Sequence, residues 1–365
     1  MKNPLSKMNA PQILKAALFN DTTLTTHYGC ATVLDEIILQ LDRVGINIVL
    51  FWPVGDDWRP YRKELETRLE TIDLIIINGE GSIHHTEERP RARWLLELAD
   101  LAESADLPAF MLNTTISNVE PRFITSLRKF KGIWVRESGS KRYLDELGVK
   151  STVVPDLAIH AVARYVKSLD YNPPSRPEGR VLVTDSAVQE VSRHLRSLAN
   201  EIGATYTHMY KDSLFERRAR RTIRKILPDD LLIYRKLTGV ARPDVKYVDW
   251  IRRLSQYAFV ITGRFHTAAF CIAMNIPFLA VESNTSKIST LVYDVFGSRN
   301  RFTEVRSLTE FYCTRKSQIT DISSDEEFLL SSYRDFSLSS TELMFRMIRR
   351  GSTEWVPKSL GTSVS

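Results

Sequence analysis

The stretch Ala258–Val281, AFVITGRFHTAAFCIAMNIPFLAV, contains a complete strand–helix–strand unit. The apolar run Phe259–Ile261 is rich in β-branched residues and predicts a buried strand. The segment Ala268–Met274 is apolar on every side, which is typical of a helix buried on all its faces. The breaker Asn275–Pro277 then precedes a second short apolar run, Phe278–Val281. We therefore expect one βαβ unit, the building block of a parallel α/β sheet.

The turn of this unit carries Gly263, Arg264 and His266. Such a turn lies at the amino end of the helix, where the helix dipole and N–H groups attract anions. The sequence therefore predicts an anion site, with Arg264 as the ligand and His266 as a functional side chain. Two simpler interpretations stay open. His266 can be a core histidine bonded to the backbone, and Arg264 can pair with a carboxylate such as Glu282.

Strands and helices alternate along the rest of the chain, which predicts parallel sheets and an α/β fold. The other expected strands are Ile13–Phe19, Ile46–Phe51, Leu74–Ile77, Ala109–Leu112, Ile133–Arg136, Thr152–Val154 and Arg180–Thr184. The expected helices include Gly29–Val44, Glu64–Glu70, Ser140–Leu147, Val188–Ile202, Val248–Ser255, Ile288–Phe296 and Asp325–Arg350. Several strands end on polar residues, and in open α/β sheets those ends line the binding crevice.

The turn-rich segment Ser168–Gly179 separates two α/β patterns and predicts an interdomain linker. We expect an N-terminal Rossmann-like domain over residues 1–170 and a C-terminal one over residues 171–310. Residues 311–365 are expected to form a helical segment with a frayed tail.

The composition is that of an ordinary globular protein, with 43% apolar and 26% charged residues. Cys30, Cys271 and Cys313 have no metal-ligand spacing and do not pair evenly, which fits a reducing cytoplasm. The first residues lack an apolar signal core, and no run approaches the roughly 18 apolar residues of a membrane span. We therefore expect a cytoplasmic protein.

The charge balance is modestly basic, with 50 Lys and Arg against 44 Asp and Glu. No nucleic-acid-reading motif accompanies it, so we expect no nucleic-acid partner. The segment Lys211–Lys225 predicts an exposed basic helix. That helix is either a solvated face or, through Arg217–Lys225, a peripheral contact with an anionic acceptor or the inner face of a membrane.

Glycines follow the third expected strand in Asn78–His85, NGEGSIHH. Glycine at such a strand end lets the backbone turn sharply or approach a ligand closely. The spacing is not G-x-G-x-x-G and does not support a dinucleotide fingerprint. His84 and His85 are adjacent, are expected to point apart and lack partners at metal-ligand spacing. The sequence therefore predicts no metal site.

Three motifs, taken in order, resemble the polysaccharide pyruvyl transferase family over roughly Phe19–Phe296. Asn78–Ser82 is similar to the family's N-G-G-G-S loop. Arg136–Gly148, with Pro155-Asp156 close behind, is similar to its R-[DE]-x-x-S-x-x-x-L-x-x-x-G element. The family's R-L-H…G-[VI]-P…K region is similar to Gly263–His266, Asn275–Pro277 and Lys287.

The resemblance implies a glycosyltransferase-B-like fold, in which two Rossmann-like domains face a central cleft. It implies transfer of a pyruvyl group from phosphoenolpyruvate to a sugar of a surface polysaccharide or its lipid-linked precursor, as a ketal. Arg264 and Arg136 would bind the donor's phosphate and carboxylate, and His266 would be the acid/base residue. The C-terminal domain would hold the donor anion, and the N-terminal domain would hold the acceptor and part of the donor. No cofactor is implied.

These residue types suit that chemistry. Phosphoenolpyruvate carries close to three negative charges, and arginine offers planar forks for phosphate and carboxylate. Histidine, with a pKa near neutrality, suits proton delivery to the donor's methylene carbon. Arg136 has a simpler alternative, a pair with Glu137 or Asp156. Further expected donor contacts are Lys287, Gly79, Gly81 and Ser82.

On the acceptor side, Glu80 is expected to be the base for a sugar hydroxyl. Asp21 and His27 are either a base and its orienting group or ordinary turn and cap residues. His84 and His85 are candidate acceptor contacts.

The sequence departs from the family pattern at three places: Glu80 replaces a glycine of the loop, and the segments around Asp21 and after Val281 differ. These departures indicate either another acceptor or another donor, since a fold alone does not fix function. The alternatives are a glycosyltransferase that uses a nucleotide-activated sugar and a non-catalytic binding protein with a degenerate cleft.

Overall fold

The computed structural model describes residues 12–168, 179–211 and 245–353. Two parallel sheets form the framework. The first has strands β1 Leu14–Asp21, β2 Ile46–Pro53, β3 Leu74–His84, β4 Ala109–Ser117, β5 Gly132–Val135 and β6 Thr152–Val153. The second has β7 Val181–Ser186, β8 Thr205–Thr207, β9 Phe259–Gly263, β10 Phe278–Val281 and β11 Phe302–Thr303. Most of the expected linker and of the expected basic helix Lys211–Lys225 lies outside the described residues.

Helices connect the strands of each sheet. In the first half they are α1 Tyr28–Arg43, α2 Arg62–Leu69, α3 Pro90–Ser104, α4 Ile124–Lys129, α5 Ser138–Glu146 and α6 Leu157–Ser168. In the second half they are α7 Gln189–Glu201, α8 Tyr247–Leu254, α9 Phe265–Met274, α10 Lys287–Phe296, α11 Leu308–Ile319 and α12 Ser324–Thr353. No helix in these described ranges is long and apolar enough to cross a membrane.

The βαβ unit predicted from Ala258–Val281 is confirmed. Helix α9 is buried over its whole length, as its uniformly apolar sequence indicates. Asn275 ends it in the left-handed conformation (φ 56°), and the N–H of Ile276 returns to the carbonyl of Cys271 at 2.9 Å. Strand β10 then pairs with β9 in parallel, with Phe278 beside Val260.

Strand β3 is longer than predicted. The segment expected to be a glycine-rich loop continues the strand as far as His84, with an irregular register between Glu80 and Ile83. Strand β4 is also longer, reaching Ser117, and the two strands pair along this extension. Pairing with a neighbouring strand therefore outweighs the local preference of glycine for turns.

One hydrophobic core runs across both halves of the chain. It includes Leu18 of β1, Phe270 of α9 and Phe345 of α12. The long helix α12 bonds to both halves: Arg334 donates to the carbonyl of Ile272 at 3.4 Å, and Arg349 donates to that of Gly45 at 3.1 Å. The two sheets are therefore held by shared packing as well as by the chain that connects them.

The strand orders are β2-β1-β3-β4-β5-β6 and β11-β10-β9-β7-β8. In each sheet the chain adds the second strand on one side of the first and the third strand on the other side. The direction of strand addition therefore reverses between β1 and β3 in the first sheet and between β7 and β9 in the second. Ligands in open α/β sheets bind at the carboxyl ends of the strands beside such a reversal. These four strand ends are therefore the places to examine for a site.

Candidate active site

A cavity of about 360 Å³ lies between the two halves. Residues that follow or end all four reversal strands line it: Thr22 after β1, Gly81 in β3, Ala187 after β7 and Gly263 in β9. The predicted site residues that it brings together are His27, Glu80, Gly81, Ser82, Arg136, Arg264, His266 and Lys287. Asp21, Gly79, His84 and His85 are not in its lining.

Arg264 precedes α9 and is engaged by a carboxylate. Its Nε donates to Asp185 Oδ1 at 3.0 Å, and Nη2 bonds the other carboxylate oxygen. The simpler interpretation of an ion pair therefore describes Arg264, but with Asp185 as the partner. Glu282, the partner suggested from the sequence, instead accepts the N–H groups of Ile288 and Ser289 at the start of α10.

Asp185 is the last residue but one of strand β7, next to β9. Burial alone would raise its pKa, but the His208 ring, 3.4 Å away, and the hydrogen-bonded Arg264 guanidinium outweigh that effect and hold the pKa well below its ordinary value. Asp185 is therefore a fixed anion that holds the Arg264 guanidinium at the mouth of the second sheet.

Arg136 is buried, with 1% of its surface exposed. Its Nε donates to Thr115 Oγ1 at 2.9 Å, and Nη1 donates to Asp156 Oδ2 at 3.0 Å. The guanidinium lies 4.0 Å over the ring of Phe265, a cation–π contact. Of the two partners named from the sequence, Asp156 is the closer, since Glu137 is 3.9 Å away.

His266 lies in the first turn of α9, 8% exposed. Its Nε2 is 3.6 Å from Asp156 Oδ2, and its ring is 5.5 Å from the ring of His27. Burial, reinforced by Arg136 and other cations, lowers its pKa well below 6.5. The imidazole is therefore neutral at neutral pH while the cavity holds no anion.

Lys287 begins α10, and its Nζ donates to Asn284 Oδ1 at 2.7 Å. Burial, together with repulsion from Arg136, lowers its pKa to about 8. A Cβ added to Gly81 would lie 3.2 Å from Arg136 Nη2 and 3.4 Å from Lys287 Nζ. Gly81 therefore leaves room between two cations that come from different halves of the chain.

Gly79 has a different role from the one predicted. A Cβ at this position would lie 2.3 Å from the Cβ of Thr114 on β4. Gly79 therefore permits close packing of two strands, and it does not line the cavity. Ser82, two residues beyond Glu80, does line it.

Glu80 has left-handed backbone geometry (φ 43°), uncommon for a residue with a side chain. Cys30 donates from Sγ to Glu80 Oε2 at 3.0 Å, and Asn78 donates to Oε1 at 3.3 Å. Burial, the largest influence, raises the pKa of the Glu80 carboxyl. The group can therefore exchange a proton within the cavity.

His27 is the cap residue of α1, and its Nδ1 accepts the N–H of Cys30 at 3.2 Å. Asp21 accepts the N–H of Thr23 at 2.8 Å, which is turn geometry. The structure thus gives both residues the cap and turn contacts of the simpler interpretation. His27 also lines the cavity.

His84 and His85 do not point apart, contrary to the prediction. Their Nδ1 atoms are 2.8 Å apart. Burial and then Arg89 lower the pKa of His84 to about 3, so that ring is neutral. His84 bonds Arg89 and Asn284, which both line the cavity, and it therefore supports the site from behind.

Sequence reasoning missed several polar lining residues, among them Arg89, Arg91, Cys30 and Tyr210, and one buried acid. Arg89 and Arg91 flank Pro90 directly after β3, and a pair of arginines between a strand end and a helix start was a usable signal. Cys30 and Tyr210 gave no such signal. The missed acid is Asp185, which bonds Arg264, whereas Asp156, which bonds Arg136, was one of the two partners named from the sequence.

Comparison with known structures shows the fold. The chain is similar to the putative UDP-N-acetylglucosamine 2-epimerase from Listeria monocytogenes, with 9% identity, 95% of this chain and 98% of that chain covered, and a TM-score of 0.56. The Methanocaldococcus jannaschii UDP-GlcNAc 2-epimerase in complex with UDP-GlcNAc and UDP is 11% identical, with 91% of this chain and 100% of that chain covered and a TM-score of 0.55. A glycosyltransferase from Rickettsia africae ESF-5 is also 11% identical, with 93% of this chain and 99% of that chain covered and a TM-score of 0.52. The predicted arrangement of two Rossmann-like domains, as in glycosyltransferase-B folds, is confirmed.

No curated protein matches the sequence significantly. A family model does match it, over residues 28–285, and its description is polysaccharide pyruvyl transferase. That range covers most of both sheets and includes most of the cavity lining, with His27 and Lys287 just beyond its two ends. The chain therefore belongs to the polysaccharide pyruvyl transferase family.

Proposed function

We propose that this transferase moves the pyruvyl group of phosphoenolpyruvate onto two hydroxyls of a sugar and forms a ketal. The observation that carries the proposal is the pair of cations, Arg136 and Lys287, on either side of Gly81 and beside the neutral ring of His266. A trianionic donor needs fixed cations, and its reaction needs a proton donor within reach.

The donor anion fits between the two halves. Arg136 and Lys287 approach the same point from opposite sheets, and Arg89 adds a third cation to the lining. Arg89 bonds His84, which is neutral and cannot offset its charge. Arg264 also lies beside this anion site, at the start of α9. Because Asp185 neutralises its charge, it adds less to the attraction of the donor than the other cations do.

Donor binding also prepares the proton transfer. Nearby cations lower the pKa of His266, and a bound anion offsets them and favours the protonated ring. In this scheme His266 protonates the methylene carbon only when the donor is present. Asp156, behind the ring, orients it and supports the charge that forms.

Two sugar hydroxyls complete the reaction. Protonation of the methylene carbon leaves a cationic centre at C2, which the first hydroxyl attacks with loss of its proton to a base. Departure of phosphate breaks its bond to C2 and regenerates a cationic centre; the second hydroxyl attacks that centre and gives its proton to the departing phosphate, which closes the ketal. Glu80, whose pKa is raised by burial, is our candidate for the base. The scheme uses no cofactor besides the donor substrate.

A nucleotide-sugar donor is the competing hypothesis, and Glu282 weighs against it. Its carboxylate already accepts the N–H groups of Ile288 and Ser289 at the start of α10. A helix start of this kind is where a nucleotide diphosphate would bind. Such a donor would have to displace an anion that belongs to the protein.

We further propose a glycan precursor linked to lipid as the acceptor, for a capsule or exopolysaccharide made at the cytoplasmic face of the membrane. The basic segment Arg217–Lys225, which lies outside the described residues, would contact anionic lipid. Co-sedimentation with phosphatidylglycerol vesicles tests this. Replacement of Arg217, Arg218, Arg220 and Arg221 by glutamine should abolish co-sedimentation, and unchanged co-sedimentation would disprove the contact.

The enzymatic test is phosphate release from phosphoenolpyruvate in the presence of candidate glycans, with a matching pyruvyl mass on the glycan. Thermal-shift screening separates the donors: we expect stabilisation by phosphoenolpyruvate and none by UDP-sugars. The reverse pattern would favour the glycosyltransferase. An Arg136→Ala variant that still binds phosphoenolpyruvate with full affinity would contradict the donor site assigned here.

A further inference from the structure

Three potential metal ligands converge at one side of the cavity. A ring nitrogen of His27, a ring nitrogen of His266 and Sγ of Cys30 all lie within 4.8 Å of one another. Glu80 Oε2 is 3.0 Å from that sulfur. The sequence predicted no metal site because only His27 and Cys30 are neighbours along the chain, whereas Glu80 and His266 come from distant parts of it and reach that pair only through the fold.

We propose that these four side chains bind one Zn²⁺ ion, which bridges the two halves of the chain. The first half supplies three ligands and the second half supplies His266. Two imidazoles, a thiolate and a carboxylate form a set that suits zinc, whereas magnesium and calcium prefer oxygen ligands alone.

The orientation of the two histidines supports this assignment. Nδ1 of His27 accepts the N–H of Cys30, so Nε2 is the atom that would bind the metal. Nε2 of His266 is buried and has no hydrogen-bond partner among the described residues. Asp156 faces that nitrogen at 3.6 Å, so Nδ1 of His266 is the atom that would bind the metal while Asp156 orients the ring through Nε2, as carboxylates behind zinc-binding histidines do.

The separations of the ligand atoms are slightly larger than in a tetrahedral zinc site, so the side chains would move toward the ion on binding. Bonds of about 2.0–2.3 Å place tetrahedral ligand atoms roughly 3.3–3.8 Å apart. The limit of 4.8 Å among His27, Cys30 and His266 therefore requires side-chain movements of about 1 Å, and Glu80, which lies outside that trio but contacts the sulfur at 3.0 Å, must turn toward the same point. The charges also balance, since one thiolate and one carboxylate offset the ion among neighbouring cations.

Zinc at this position would be an inhibitor. The ion would occupy a lone pair of His266 and the carboxylate of Glu80, the two groups to which we assign proton transfer. This consequence rests on the proposed function, but the binding site itself does not.

Cobalt spectroscopy tests the site directly. Addition of Co²⁺ to the metal-free protein should give one equivalent of a tetrahedral complex, with visible absorption, a near-ultraviolet thiolate band and displacement by Zn²⁺. Cys30→Ser should abolish the thiolate band and weaken Zn²⁺ binding by about 10–100-fold or more. Cys313→Ser is the matched control, because that cysteine is exposed and remote from the cavity, and it should leave the spectrum unchanged.

His27→Gln is a second, independent variant. It should retain the thiolate band with a changed visible spectrum and weaker Zn²⁺ binding. Absence of a tetrahedral spectrum in the folded wild-type protein, or an unchanged spectrum in folded Cys30→Ser, would overturn the proposal. If the protein binds zinc and its metal-free form transfers no pyruvyl group, the proposed function fails and this site stands.

Discussion

The carboxylate of Asp156 lies 3.6 Å from Nε2 of His266, and the same oxygen accepts a hydrogen bond from Arg136 at 3.0 Å. One buried anion thus contacts both the cation to which we assign donor binding and the histidine to which we assign proton donation. Its other oxygen accepts the N–H of Ala158 at 2.9 Å, which fixes the carboxylate at the start of α6. Asp156 therefore acts as a positioning residue for both groups.

Asp156→Asn should destabilise the fold. The change keeps the shape of the side chain but leaves the buried guanidinium of Arg136 without its anion, which typically costs about 3–5 kcal/mol. Urea unfolding measures the loss. Asp145→Asn is the control, because its ion pair with Lys141 is exposed, and it should change stability by less than about 0.5 kcal/mol. Equal losses of stability in the two variants would show that the buried ion pair stabilises the fold no more than the exposed one.

His266→Gln should lower kcat by about 10²–10⁴ and weaken phosphoenolpyruvate binding much less, because the ring is neutral in the free protein and gains its proton only as the donor binds. Phosphate-release kinetics and donor titration measure the two effects separately. His194→Gln, on the exposed face of α7, is the matched control. A parallel loss of kcat in both variants, or none in either, would remove the assigned role.

Donor affinity should fall as pH rises through about 8, the pKa of Lys287. Below that pH the side chain is cationic and attracts the donor, and above it the attraction is lost. Calorimetric titration with phosphoenolpyruvate from pH 7 to pH 9 measures the change. Lys287→Met should bind weakly throughout and lose this pH dependence, whereas Lys141→Met, on an exposed helix, should retain it. If donor affinity in Lys287→Met still falls with pH as it does in the wild-type protein, the titrating group is not Lys287.

Gly81→Ala and Gly79→Ala should fail in different ways. A Cβ at Gly81 meets the flexible ends of Arg136 and Lys287, so the protein should stay folded and bind phosphoenolpyruvate more weakly, by roughly 10-fold. A Cβ at Gly79 meets Thr114 in the neighbouring strand, so stability should fall by about 1–3 kcal/mol. Thermal denaturation and donor titration of both variants check this contrast. Normal donor affinity in Gly81→Ala would contradict the proposed place of the anion.

The sequence was sufficient to predict the position of Arg264 but not its contact. A strand, a turn and a buried helix are local patterns, so the place of Arg264 at the start of α9 followed directly. Its partner depends on strand order. Strand β7 lies beside β9 and delivers Asp185, which is 79 positions away along the chain. Local periodicity contains no information about which strands become neighbours.

Glu80 and Cys30, on the other side of the cavity, also form a contact that local sequence patterns do not predict. Both residues were visible in the sequence, but nothing nearby indicated that they share a hydrogen bond. The length of β3 was also misjudged, because pairing with β4 holds a glycine-containing segment that by itself favours a turn. Fold class and motif positions were therefore predictable, whereas the contacts between elements were not.

Helix α12 has a mechanical consequence. It bonds Ile272 in one half and Gly45 in the other, so two separate segments of chain join the halves: the one between α6 and β7, and α12 itself. Rotation of one half against the other must therefore disturb both of these bonds and the core that the halves share. Opening of the cleft to admit a glycan should accordingly be a small rotation that α12 limits, and removal of α12 should loosen the association of the two halves.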